Sequence, residues 1–355
     1  MSAVSYSLIL IGLALFMLLT AAAYSVYLER RVAARIQQRV GPNRVGPFGL
    51  LQPLADVIKL LLKEDIVPAS ADKLIHFLAP VISVTIALIT FAVVPFAKAD
   101  IPMTANTGGF LVIADVNIGI LYVLSIASIA VYGVTLAGWS SNSKYALLGG
   151  LRASAQMISY ELAMGLSVVS VLLLTNAFYT GDGGFLRPGA IVEAQRGAWN
   201  IFLNPIGFLI FVTCAFAEAN RAPFDLVEAE QELVGGFHTE YSSMKFALFF
   251  VAEYIHVIVA STLITTLFLG GYLGPFEGLL GVSEWAPMGQ LAWGLGWFFL
   301  KTVFFIFVFV WVRWTLPRFK YNQLMDLGWK RFLPLALANL LLVALGTGIY
   351  AMMTT

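Results

Sequence analysis

Eight apolar runs of about twenty residues recur along the chain, at roughly 6–28, 77–97, 118–138, 155–176, 201–220, 244–270, 291–315 and 332–352. A run of that length crosses the ~30 Å hydrocarbon core of a bilayer as an α-helix. No backbone N–H or C=O can be left unpaired there, which leaves only helices and closed barrels. The runs are continuous rather than alternating, which argues against barrel strands. The expected fold is therefore all-α: a polytopic membrane helix bundle of about eight transmembrane helices. A hydrophobic fraction of 59%, a charged fraction of 12% and a mean hydropathy of +0.85 agree, since such a chain needs lipid as its solvent. Residues 1–355 read as a single integral membrane domain with no soluble module.

The charged residues orient the bundle. Only Lys98, Arg187, Arg196 and Lys301, of the 21 Lys and Arg, fall on the side of the second, fourth and sixth connections. The rest flank the other side, an asymmetry that places it in the cytoplasm and both termini outside. Leu8 to Leu19 followed by Ala21-Ala22-Ala23 has the look of a signal peptide. No Lys or Arg precedes it, however, and Glu29-Arg30-Arg31 follows, as in a retained first helix. A net charge of +1 argues against a nucleic-acid partner. The single cysteine, Cys214, excludes a disulfide, and no Cys/His cluster has metal-ligand spacing. His76, His238 and His256 lie far apart in sequence and read as structural or interfacial.

Two inner connections interrupt the apolar pattern. The first, 29–76, holds the turn-rich Gly41 to Pro47 and then Leu50 to Lys63, with apolar residues at helical spacing between Gln52, Asp56, Lys59 and Lys63. That is an amphipathic helix too short and charged to span, suited to the membrane interface or to a partner subunit. The second, 218–243, carries Glu218, Asp225, Glu228, Glu230, Glu232 and Glu240 with one cation before Gly235, Arg221. Pro223 should stop the preceding helix, and Asp225 to Leu233 has the spacing of a short helix on which Asp225, Glu228 and Glu232 share a face. Two carboxylates ~6 Å apart at an effective dielectric of ~20 repel by roughly 3 kcal/mol, or about two pKa units. One of them would then hold a proton near neutral pH; a solvated acidic loop with ordinary pKa values is the alternative.

Two stretches resemble the signatures of one family: Gly49 to Glu64 (GLLQPLADVIKLLLKE) and Pro223 to Gly236 (PFDLVEAEQELVGG). Glu29-Arg30-Arg31, Gly41 to Pro47 (GPNRVGP), Gly138 to Tyr145 (GWSSNSKY) and Arg152 to Glu161 (RASAQMISYE) support it. The chain is similar, from about Glu29 to Arg331, to the H subunit (subunit 1 in mitochondria) of the proton-pumping NADH:quinone oxidoreductase, respiratory complex I. The resemblance implies an eight-helix core at the junction of a hydrophilic and a membrane arm, walling the membrane side of a quinone tunnel. Quinone would be the substrate. NADH, FMN and the iron–sulfur clusters would belong to partner subunits, with no catalytic redox centre, metal or cofactor held by this chain alone. Partners would be the quinone-site subunits of the hydrophilic arm, adjacent small membrane subunits and membrane lipid, in a bacterial inner membrane with periplasmic termini.

The same resemblance assigns roles. Arg30, Arg39, Asp56, Arg221 and Phe224 fall on the tunnel rim and wall. Anchoring to anionic headgroups is the alternative for the first three, and is preferred for Arg31, Lys59 and Lys63; for Phe224 the alternative is plain packing. Glu161, Glu218, Asp225, Glu228, Glu230, Glu232, Glu240 and Glu253 fall on a proton path. Glu161 lies nine residues beyond Arg152, ~13 Å along a helix axis. An ionised acid at the bilayer centre costs roughly 3 kcal/mol on insertion scales. A protonated Glu161 bonded to a neighbouring helix, such as the one bearing Glu253, is its structural alternative. Trp139, Trp285, Trp311, Trp314 and Trp329 need only the interfacial aromatic belt. Two other functions compete: the corresponding subunit of an energy-conserving membrane-bound hydrogenase, and a stand-alone cation/proton transporter. The second lacks a pair of interrupted segments in matching halves.

Overall fold

The computed structural model describes residues 3–101, 104, 107, 109–179, 184–225, 234–275 and 277–354. Its helices are α1 (Ala3–Ile36), α2 (Gln52–Leu62), α3 (Lys73–Thr90), α4 (Gly119–Ser140), α5 (Lys144–Phe178), α6 (Pro188–Ala194), α7 (Asn200–Leu203), α8 (Pro205–Glu218), α9 (Ser243–Phe268), α10 (Glu277–Leu280), α11 (Pro287–Thr315), α12 (Tyr321–Asp326) and α13 (Leu333–Thr354). Among the described residues seven helices are long and apolar enough to cross a membrane, counting α12 through α13 as one. The expected all-α membrane bundle is therefore the fold, with one two-stranded antiparallel pair among the described residues, β1 (Ala97–Lys98) with β2 (Phe110–Leu111), in the connection between α3 and α4.

Several boundaries differ from the hydrophobic pattern, for local reasons. Span five, expected over 201–220, is broken at Asn204. That side chain accepts from the N–H of Gly207 and caps α8, whose first residue is Pro205. At 14 residues α8 is ~21 Å long and reaches across only with its flanking turns. The connection expected over 139–154 shrinks to Ser141–Ser143, because α5 starts at Lys144 and runs 35 residues. Its polar first turns extend beyond the apolar run, which an apolar count cannot register. The last span likewise starts at Tyr321, passing through a π-helical stretch, Leu327–Phe332, before α13.

α5 and α9 form the interior. Of their apolar windows 61% is buried, against 22% for α1 and 11% for the last span, so the latter two lie at the periphery of the bundle. α5 packs on α4, α8 and α13, while α9 packs on α3, α11 and α1. The α3–α4–α5 contacts are close because their meeting points are small. A Cβ on Gly133 would stand 2.2 Å from Ser83 Oγ, and one on Gly138 2.5 Å from the carbonyl of Ala146. The core between the helices is aromatic and aliphatic, with Tyr160, Phe211, Ile264, Phe268 and Phe309 at its centre.

The charged connections pair in two groups. In one, Arg187 pairs with Asp115 and donates to the carbonyl of Thr107. There too Glu193 accepts from Arg196 and Tyr272, each at 2.6 Å, and lies 3.3 Å from Lys98. Lys301 belongs to this group: its ammonium donates to the carbonyls of Leu269, Gly271 and Leu273, capping the C-terminus of α9. In the other, Lys245 pairs with Asp65, Ser242 Oγ donates to the carbonyl of Glu64, and the 316–326 segment meets the acidic connection. α2 lies along this group with no buried residue, as an interfacial helix would.

Candidate functional site

The chain's ionisable groups converge where α8 ends. Ala219 closes the helix, Asn220 turns the chain through the left-handed region (φ 49°), and Arg221 follows at 4% exposure. A guanidinium so buried needs compensation. Glu253 Oε2 of α9 lies 3.5 Å from Arg221 Nη2, and the ring of Tyr254 lies 4.4 Å beneath its guanidinium carbon. The Tyr254 hydroxyl in turn donates to Glu29 Oε2 at 2.7 Å, and Arg313 of α11 donates to Glu29 Oε1 at 2.5 Å. The result is a charge-balanced group of two guanidiniums and two carboxylates, tied through one phenol, joining α1, α8, α9 and α11. Glu29, Arg221, Tyr254 and Arg313 line one cavity with Ser25 and Phe309.

From this group a chain of small cavities leads into the bundle. Glu253, Glu218, His256, Asn220 and Ser83 line one of them. Glu218 and His256 also line the next, which extends between α3, α4 and α9. Glu218 lines a third as well, where it meets Glu161, Cys214 and Met157. Glu161 accepts a short hydrogen bond from Ser128 of α4. Its partner is therefore α4, not the Glu253 helix considered as the alternative. Gln156 fixes the α5–α8 spacing that puts Glu161 and Glu218 on one cavity: its amide donates to the carbonyl of Ala217 at 2.8 Å and to Asn220 at 3.3 Å.

Asp225 sits elsewhere. The spacing predicts it as the first residue of a short helix sharing a face with Glu228 and Glu232. It is 2% exposed and 2.8 Å from Arg318, and the rest of that predicted helix, residues 226–233, lies outside the described residues. Burial needs a cation, and the cation comes from the 316–320 segment, which also bonds Phe319 N–H to the carbonyl of Pro223. Glu228, Glu230 and Glu232 lie outside the described residues. Glu240 is half-buried in the inner connection, apart from the cavity chain and next to Tyr241, whose ring stacks on His76 at 3.9 Å.

Of the expected rim residues, Arg30 and Asp56 meet at 2.5 Å, with Gln52 also donating to Asp56 at 3.1 Å. Arg39 does not join them; it is exposed and bonds Gln37 in its own segment. Phe224 is buried between Tyr160 and Phe319, with ring centroids 5.4 and 5.5 Å away. Trp139, Trp285, Trp311, Trp314 and Trp329 are all more than a third exposed near helix ends.

Sequence reasoning misses four groups. Glu29 belongs to a motif that carries the family resemblance, yet the motif gives it no role; a Glu closing an apolar span is the available signal. Arg313 enters only as a topological charge, Tyr254 carries no signal, and His256 reads as structural.

The fold and this interior thus define a polytopic helical membrane protein with ionisable groups threaded through its core. Its sequence matches the NADH dehydrogenase family over residues 9–344, and the chain belongs to that family. It is 58% identical to NADH-quinone oxidoreductase subunit 8 of Rhodothermus marinus over 343 residues, covering 94% of this chain and 95% of that one. It is 54% identical over 341 residues to the NADH-quinone oxidoreductase H subunit of Salinibacter ruber, covering 94% and 93%. Against the H 1 subunit of the Geobacter metallireducens enzyme the identity is 54% over 332 residues, covering 93% of each.

Proposed function

We propose that this chain is the membrane subunit of an NADH:quinone oxidoreductase that walls the quinone tunnel and couples quinone reduction to proton translocation. The observation that carries the coupling is the cavity chain in which Glu253, Glu218 and Glu161 follow one another through an otherwise apolar bundle. Carboxyl groups lining adjoining cavities can hold protons and pass them on when a nearby charge changes. The Arg221–Glu253–Tyr254–Glu29–Arg313 group stands between that chain and the inner end. It is where a change of charge on bound quinone would first be felt. Arg30 and Asp56 form the rim through which quinone enters beside α2, and Phe224 and Arg221 line its wall. Asp225, anchored by Arg318, and the acidic connection complete the inner mouth. NADH, FMN and iron–sulfur chemistry is the work of hydrophilic-arm subunits docked on the charged inner end. Small membrane subunits and lipid cover α1 and α13, and both termini face the periplasm of a bacterial inner membrane.

The test is Glu161→Gln, which keeps shape and an acceptor for Ser128 but cannot carry the exchangeable carboxyl proton. In the assembled complex it should depress quinone reduction and proton pumping together, while Glu161→Asp keeps much more of both. A fully assembled Glu161→Gln complex with wild-type rate and proton stoichiometry would leave Glu161 a structural role only.

A further inference from the structure

Among the described residues that line these cavities His256 is the imidazole, and neither the spacing of the sequence nor the carboxylate path assigns it a task. It lies one helical turn beyond Glu253 on α9, so the two side chains leave the same face. Its ring is half-buried and lines two adjoining cavities at once, the one shared with Glu253, Asn220 and Ser83 and the one shared with Thr90; Glu218 borders both. The ionisable groups facing it are thus Glu253 from its own helix and Glu218 from α8. The wall from α3 supplies hydroxyls, and the remainder is mainly apolar. Glu253 is held toward Arg221, and Glu218 continues to Glu161. The imidazole therefore shares one cavity with the carboxylate held toward Arg221 and with the carboxylate that also borders the cavity of Glu161.

We propose that His256 is a proton-relaying side chain of this subunit, handing protons between Glu253 and Glu218. The proposal rests on the carboxylate path described above. A neutral imidazole is both donor and acceptor. It accepts a proton from one carboxyl group at one ring nitrogen and releases the proton on its other nitrogen to the second carboxylate. One carboxyl is deprotonated, the other protonated, and the ring ends as the opposite tautomer, which a ring flip resets. No electron moves and no other reactant is needed. An amide in its place keeps size and hydrogen bonds but cannot carry the proton.

The experiment uses the complete complex in native membranes and in proteoliposomes, with assembly verified by ferricyanide reduction. His256→Asn should lower quinone reduction and proton pumping by about 100-fold, the low end of what a positioned proton-transfer group contributes. The ratio of rates in H2O and D2O should rise, because the blocked transfer becomes limiting. Wild-type rate and stoichiometry in His256→Asn overturns the relay. So does a slowed enzyme with an unchanged isotope ratio, which marks a packing defect. If His256→Asn does not assemble, His256→Gln is read by the same two criteria. Glu218→Gln separates this inference from the path it rests on. A wild-type Glu218→Gln sinks both, whereas a blocked Glu218→Gln beside an unaffected His256→Asn sinks only the relay.

Discussion

Glu29→Gln is the most informative single change to the inner charge group. Glu29 is 6% exposed and receives both the Tyr254 hydroxyl and the Arg313 guanidinium. The substitution leaves Arg221 and Arg313 facing only Glu253, a net positive charge in the bundle. Removing one member of a buried ion pair costs about 3–5 kcal/mol. Arg313 keeps 23% of its side-chain surface, so hydration offsets part of this and about 3 kcal/mol is the working figure. That corresponds to a roughly 150-fold shift in the folded population. The double replacement Glu29→Met with Arg313→Met restores neutrality with apolar volume and should cost much less than either single change, or nothing. The assay is SDS titration of the full chain in mixed micelles, followed by tryptophan fluorescence, with retention in the assembled complex as a second readout. A Glu29→Gln chain as stable as wild type would refute the reasoning. A double variant as unstable as the two single changes added together would do the same.

Cysteines at Asp100 and Ser143, in a Cys214→Ser background, should react with an impermeant thiol reagent from opposite faces of the membrane; labelling from one face would mean a span is miscounted. Asp56→Asn should impair quinone reduction with assembly intact, because the Arg30–Asp56 pair is exposed enough that its loss costs about 1 kcal/mol or less. Arg39→Ala, which the structure separates from that pair, should do less, and equal defects would reassign the rim. At the outer end, burial pushes the Glu193 carboxyl up. Hydrogen bonds from Arg196 and Tyr272 and the charges of Arg196 and Lys98 outweigh it and hold the carboxyl below the usual range. A depressed carboxylate contributes stability that is complete above its unfolded value, about 4.3, and fades as pH falls through the folded one. Glu193→Gln should therefore destabilise the chain at pH 7 and progressively less below about pH 4; a pH-independent effect would discount the charge.

Hydrophobic length, the positive-inside asymmetry and the two polar signatures are properties of contiguous sequence. They carried the helical membrane fold, helix α2 and the family. Each depends on residues close in the chain and on transfer energies that add along it. What they could not carry is which charges meet. Glu29 finds Tyr254 across 225 residues and Arg313 across 284, and Asp225 finds Arg318 in a distant connection. Such pairs are selected because a buried charge must be neutralised wherever the bundle brings a partner, and packing alone decides where that is. The same holds for Glu161, whose partner Ser128 is set by the close α4–α5 contact, and for His256. On the sequence His256 is one residue in an apolar run; only the assembled helices bring it to one cavity with Glu218 and Glu253.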